Sequence, residues 1–292
     1  MGEHVDQKSK TIVITGATSG IGYAATKKLA AMGANVLGVG RSAERCNKAN
    51  GKILKESPDA QIDFLLADLS SQQQVKTLAE EIKQKVDKQD NNAIDVLVNN
   101  AGAVANWYTA TEDGFEMQFA VNHLAPFLLT HLLLPLIERS KDGRVLTVSS
   151  NSHRKARIHW KDVMLRRGYN TLRAYKQSKL ANVLFTYELN RRLDGSSRIK
   201  AFAVDPGLVN TEIGLKGTSG IVRWVWDKRR KKGMMPEESA ERVVFLATRA
   251  DVSIDKSAYW KDFKPVAPSQ NALREEDAER LWDVSERLCG LQ

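Results

Sequence analysis

What most constrains this chain is a rhythm. A short apolar, β-branched run is followed by a longer amphipathic stretch, and the pair recurs from residue 11 onward. Candidate strands are Thr11–Thr15 (TIVIT), 35–39 (NVLGV), Ile62–Leu66 (IDFLL), 94–98 (IDVLV), Arg144–Val148 (RVLTV) and 199–204 (IKAFAV). Several are continuously apolar, as strands covered on both faces are. Helical patterns lie near 20–32, 43–56, 71–88, 112–138 and 175–193. Strand and helix alternating at this spacing predict an α/β fold, a doubly wound parallel sheet with right-handed crossovers. No linker or repeat interrupts it, so 1–292 reads as one domain with a polar extension at about 1–10. Ligands of such sheets sit beyond the carboxyl ends of the strands, which makes 207–238, after the sixth strand, a candidate lid.

Composition removes several classes. With 42% apolar and 27% charged residues, the chain can bury a core and is not of the disordered type. Cys46 and Cys289 are too few for a disulfide framework, and the first ten residues carry no apolar signal core. The most apolar stretch, 121–137, holds Asn122, His123, Pro126, Thr130, His131 and Pro135, and reads as too short and too polar to span a membrane. A soluble, cytoplasmic protein is expected. His4, His123, His131, His153 and His159 show no metal-ligand spacing, so no metal is expected, and His153 reads as a surface loop residue. The net charge of +9 comes from the second half of the chain and reads either as a solvated basic surface or as a field that attracts anionic ligands, membranes or nucleic acid.

The first strand runs into Gly16-Ala17-Thr18-Ser19-Gly20-Ile21-Gly22 and then a helix. Glycines permit a tight turn and close approach of a pyrophosphate, which the helix N-terminus attracts. The plain alternative is a strand–helix connection. No Lys-Ser/Thr pair follows the last glycine, so the loop is not of the mononucleotide type. After the second strand, where an acid would bond a ribose 2′-OH, stands Arg41. A guanidinium there can clamp a 2′-phosphate, so NADP(H) is expected before NAD(H).

Tyr175 and Lys179 are four apart on a predicted helix and share a face. A neighbouring ammonium favours phenolate and brings a tyrosine toward useful acidity. Ser149 and Ser150 end the fifth strand at its carboxyl edge, where a hydroxyl can hold a substrate oxygen or simply cap a turn.

Taken together, TGATSGIG (15–22), Asp68-Leu69, Asn99-Asn100-Ala101-Gly102, Asn122, Val148-Ser149-Ser150, Tyr175 with Ser178-Lys179, and Pro206-Gly207 with Thr211 resemble the short-chain dehydrogenase/reductase family in order and spacing. The run LANVLFTYELNRRL after Lys179 and the tail AERLWDVSERLCGL resemble its retinol dehydrogenase-like branch. The resemblance implies a Rossmann-type fold and a hydride transfer between NADP(H) and a carbonyl or alcohol, apolar in the manner of a retinoid, steroid or lipid aldehyde. It implies Tyr175 as acid or base, Lys179 as its tuner and ribose ligand, Ser150 rather than Ser149 as the holder of the reacting oxygen, and Asn122 as holder of a relay water. For the cofactor it implies Gly16, Thr18, Ser19, Gly20, Ile21 and Gly22 at the phosphates. Asp68 and Leu69 would meet the adenine, Asn99, Ala101 and Gly102 the channel, and Pro206, Gly207 and Thr211 the nicotinamide. A cofactor-bound sensor without turnover is the competing class.

Three features stand apart. Vertebrate members of the branch commonly carry an apolar N-terminal anchor, and none is visible here. The gap between Ser150 and Tyr175 is longer than usual in the family and very basic, with Arg154, Lys155, Arg157, Lys161, Arg166, Arg167 and Arg173 against Asp162 alone. Nucleic-acid binding is not expected, since no recognition motif accompanies these charges. Segment 221–232 joins Trp224 and Trp226 to five consecutive basic residues. It reads either as a peripheral contact with anionic membrane or as a lid packed on substrate. Family members often pair through helices corresponding to 112–138 and 175–193, which admits a homodimer.

Overall fold

The central strands are buried along nearly their whole length because helices cover both faces of the sheet, while the strands at its two edges are partly exposed. The computed structural model describes residues 7–193, 197–209, 233–253 and 257–292. Seven strands run parallel: β1 (Thr11–Thr15), β2 (Asn35–Gly40), β3 (Ile62–Leu66), β4 (Val96–Asn99), β5 (Arg144–Val148), β6 (Lys200–Asp205) and β7 (Tyr259–Lys261). β8 (Lys264–Pro265) turns back antiparallel to β7 through Asp262 and Phe263, both at positive φ. The order is β3-β2-β1-β4-β5-β6-β7-β8, which is the doubly wound, Rossmann-type arrangement.

Alternation along β1 sends Ile12 and Ile14 to one face and Val13 to the other. The first face packs α1 (Gly20–Ala31), α2 (Ala43–Glu56) and α7 (Pro236–Thr248) through Leu29, Ile53 and Val243. The second packs α3 (Gln72–Val86), α5 (Ala125–Glu138) and α6 (Thr171–Arg192) through Leu78, Leu128 and Leu184. Each such fully buried side chain contributes about 1.5–3 kcal/mol. α8 (Glu275–Cys289) lies over α5 and α6, its Trp282 ring 5.0 Å from Phe127 and stacked 5.9 Å from Phe185. It ends on Gly290 in the left-handed conformation, as helices closed by glycine do.

The differences from the sequence reading are local and have local causes. The helix expected over 112–138 begins with α4 (Met117–Phe119), because Glu112-Asp113-Gly114 turns and Glu116 caps the helix by accepting from Gln118 N and Phe119 N. Between α4 and α5, residues Ala120–Leu124 wind as a π-turn. Pro126 has no N–H to give the Asn122 carbonyl, so the α ladder cannot run through, and Ala125 N bonds Ala120 O instead. Met117–Glu138 is in fact long and apolar enough to cross a membrane, contrary to the reading of 121–137 as too short. It is mostly buried inside the protein, and its apolar character belongs to the core. β4 begins at Val96 rather than 94, since Ile94 N is spent on the Leu136 carbonyl. α6 begins at Thr171, four residues before Tyr175, where the Asn170 side chain accepts from Arg173 N. Residues 236–238 belong to α7 rather than to a lid, and α7, β7, β8 and α8 add four elements beyond the sequence reading. Of the N-terminal extension, Gln7 is buried and Lys10 N bonds its carbonyl.

Candidate active site

The glycine loop is a piece of backbone with no room in it. Gly16 and Gly20 sit at φ 69° and 57°, in the left-handed region. A Cβ on Gly22 would stand 2.3 Å from Gly16 O and 2.4 Å from Asn100 Nδ2. Asn100 Nδ2 donates to Thr15 O at 2.8 Å, while Thr15 Oγ1 accepts from Asn100 N and Ala101 N at 3.0 Å. These bonds stitch the turn after β4 to the turn after β1, so Ala101 and Gly102 lie beside the loop. Thr15 and Asn100 were not among the expected site residues. A threonine ending one strand and an amide after another are the signal for such a stitch. Ser19, the N-cap of α1, makes no side-chain cap bond, so the helix offers its first N–H groups at the loop.

The other cofactor-side candidates divide into exposed and buried. Arg41 follows β2 with its side chain 74% exposed; the Asp68 carboxylate lies 3.8 Å from it. Asp68 Oδ1 accepts from Ser70 N and Ser70 Oγ, and the neighbouring Leu69 packs at the edge of the core. Asn99 is different: its side chain is buried and donates to Thr130 Oγ1 at 2.9 Å, so it faces α5 and braces the end of β4. Pro206 is buried and Gly207, at φ 82°, donates its N–H to Asp205 Oδ1. Thr211, the 221–232 segment and most of the expected lid lie outside the described residues.

α6 carries Tyr175 and Lys179 across the end of β5. Lys179 is buried, and its Nζ donates to Val148 O at 2.9 Å. It stands 5.8 Å from the centre of the Tyr175 ring. Burial pushes the lysine down to about 8. Asn182 Nδ2 shares the Val148 carbonyl, and Ser149 Oγ donates to Lys179 O. Ser149 is thus consumed by packing β5 against α6. Ser150 is partly exposed, extended, and caps the 3-10 turn Asn151–Lys155 by accepting from Ser152 N.

Asn122, on the π-turn, clamps two elements. Its Oδ1 accepts from Ala103 N at 2.6 Å, and its Nδ2 donates to Ala103 O and to Ser178 Oγ. Ser178 Oγ in turn donates to Tyr175 O at 2.9 Å. The insertion before α6 wraps the same end of the sheet. His159 N and Val163 O are tied to the Gln177 side chain, and Trp160 Nε1 donates to Asp277 at the start of α8. Tyr169 bonds Glu116, whose carboxyl burial pushes upward. The basic side chains Lys155, Arg157, Lys161, Arg166, Arg167 and Arg173 belong to exposed residues. His153 is a correction. It is fully buried, bonded at both ring nitrogens, and not on the surface.

A cavity of about 550 Å³ opens elsewhere, between α5, α6 and α8, lined by Phe127, Leu134, Phe185 and Trp282. It includes neither Tyr175 nor Ser150.

A family profile described as short chain dehydrogenase matches residues 10–219. The chain is 37% identical over 294 residues to retinol dehydrogenase 13 of Homo sapiens, covering 97% of this chain and 85% of that protein. A solved structure of a Mycobacterium paratuberculosis protein superposes with a TM-score of 0.79 at 33% identity, covering 99% of this chain and 96% of that one. An angucycline C-6 ketoreductase solved with bound NADP gives a TM-score of 0.65 at 26% identity, covering 85% and 92%.

Proposed function

The chain belongs to the short-chain dehydrogenase/reductase family, in its retinol dehydrogenase-like branch, and from that premise we propose an NADP(H)-dependent oxidoreductase acting on an apolar carbonyl or alcohol. The cradle fits a dinucleotide: α1 presents uncapped N–H groups, and the Gly16–Gly22 contact leaves the backbone bare. Gly16, Thr18, Ser19, Gly20, Ile21 and Gly22 would hold the phosphates, Arg41 the 2′-phosphate, and Asp68 and Leu69 the adenine. Ala101 and Gly102 would line the channel, with Asn99 supporting it from behind. Pro206 and Gly207, and Thr211 beyond them, would meet the nicotinamide. When bound, the cofactor supplies or takes the hydride.

The remaining chemistry falls to side chains. In reduction, Tyr175 gives its phenolic proton to the substrate oxygen, and in oxidation it takes the proton back. Lys179 keeps its charge below about pH 8 and stabilises the phenolate. Ser150 holds the reacting oxygen, and Asn122 holds the turn of α6 that carries the tyrosine. One observation carries the reading: a buried lysine, pinned to Val148 O, beside the Tyr175 ring. Leu208, exposed beside Gly207, and the retinol dehydrogenase relative support an apolar substrate.

The test is NADPH oxidation against aldehydes, ketones, retinoids and steroids, with NADH alongside. Faster turnover with NADPH on apolar carbonyls is expected. Tight NADPH binding with no turnover of any carbonyl would make the chain a cofactor-bound sensor instead.

A further inference from the structure

His153 joins three segments through one ring. Its Nδ1 lies 2.8 Å from Ser150 O, and its Nε2 lies 3.1 Å from Ser269 N. A backbone amide only donates, so Nε2 must be the acceptor and Nδ1 must carry the proton. The ring is therefore held as one neutral tautomer, and burial lowers its proton affinity. Ser150 O also accepts from His153 N, so two donors fix the peptide that follows the serine.

The other side of the ring is built as firmly. It packs 4.7 Å from Tyr259, whose hydroxyl donates to Asp205 Oδ2 at 2.9 Å. Asp205 Oδ1 receives Gly207 N. Arg154 donates to Ala267 O and stands over the Tyr259 ring. The charged groups around His153 are thus Arg154 and Asp205, with the Tyr259 hydroxyl bonded to the latter.

We infer that His153 is a positioning residue, which sets the Ser150 peptide and couples it, through Ser269 and Tyr259, to the C-terminal segment and the Gly207 turn. The inference rests on the proposed role of Ser150. Few side chains present a donor and an acceptor at this separation in one rigid plane, which explains a buried histidine with no contact to the reacting atoms.

Two variants divide the ring's duties. His153→Asn keeps a donor near Ser150 O but cannot reach Ser269. His153→Gln reaches Ser269 but leaves Ser150 O without its side-chain donor. Turnover is read as NADPH oxidation with decanal and with all-trans-retinal, and NADPH affinity by fluorescence. His153→Gln should lower kcat about 10- to 30-fold with the NADPH Kd within about twofold, whereas His153→Asn should stay within about threefold of the unmodified chain, the scale of a misplaced but intact group. Equal kcat losses in both variants, or none in His153→Gln, overturn the inference. Ser269 has φ −73° and ψ 156°, a conformation proline adopts, so Ser269→Pro removes the N–H and little else. It should cost about two- to threefold in kcat, as His153→Asn does. Undiminished kcat there removes the coupling. Nitrogen-15 NMR of histidine-labelled protein reads the tautomer directly, without turnover. Nδ1–H is expected, and Nε2–H sinks the assignment. Ser150→Ala separates the two readings. If it keeps full turnover, the serine's role fails, whereas a dead Ser150→Ala beside a fully active His153→Gln rejects only the part played by His153.

Discussion

The two ends of the candidate site are made in different ways. At the cradle, Gly16, Gly20 and Gly22 act through what they lack, and the decisive contacts join backbone to backbone or to the neighbouring Asn100. At the catalytic end, position depends on side chains brought from far along the chain: Lys179 on Val148, Ser269 on His153, Tyr259 on Asp205, Asp277 on Trp160. A backbone cradle tolerates few sequences and announces itself. A side-chain scaffold tolerates many and stays hidden until the fold is known.

Substitutions can break this contrast or sharpen it. The largest effect is expected from Tyr175→Phe, which removes the proposed proton donor and keeps the ring. Turnover should fall about a hundredfold or more while NADPH binding by fluorescence is retained. Loss of both together would show that the two ends are not separable. Next comes Arg41→Ala, expected to weaken NADPH by about 1.5–3 kcal/mol and leave NADH nearly unchanged, as calorimetry with each cofactor would measure. Equal weakening of both would reduce Arg41 to a structural role.

Lys179 tests the catalytic end by pH. Its proton affinity is about 8 when folded, against about 10.4 in an unfolded chain. Between those values the unfolded state binds more protons, so stability rises with pH, and below pH 8 the full cost of burying the charge is present. Lys179→Met should therefore be more stable than the unmodified protein at pH 7, on the order of 2 kcal/mol, with the gap closing toward pH 10. Urea midpoints at both pH values decide it, and a constant gap speaks against the buried charge. The least selective effect is expected from Gly22→Ala. Its methyl would stand 2.3 Å from Gly16 O, a backbone atom that cannot swing aside, so about 3 kcal/mol of stability should go, with NADPH and NADH weakened alike. If one cofactor suffers alone, the loop is reading more than phosphates.

The same contrast explains what could be read from residues alone. β1, α1, β2 and α2 follow from glycine placement and period, and their observed limits lie within a residue of those expected. Tyr175 and Lys179 follow from helical spacing. The burial of His153 did not, because its partner Ser269 lies 116 residues away and a histidine after two serines has no local signature. Asn99, expected either to line the cofactor channel or to serve in ending the fourth strand, turns its side chain to Thr130, and that choice is made by α5 rather than by the strand that carries it. The start of α6 at Thr171 is legible in Asn170, a good cap residue, four residues ahead of the start at 175 that the helical pattern predicts.

The short strand β8 has a consequence for life in a crowded solution. A sheet edge with free N–H groups is a template on which another chain can grow. Here the last strand is Lys264–Pro265: proline brings no amide hydrogen to that edge, and lysine carries a charge that resists burial. This edge of the sheet is therefore a poor template for a further strand, by the chemistry of the two residues on which it stops.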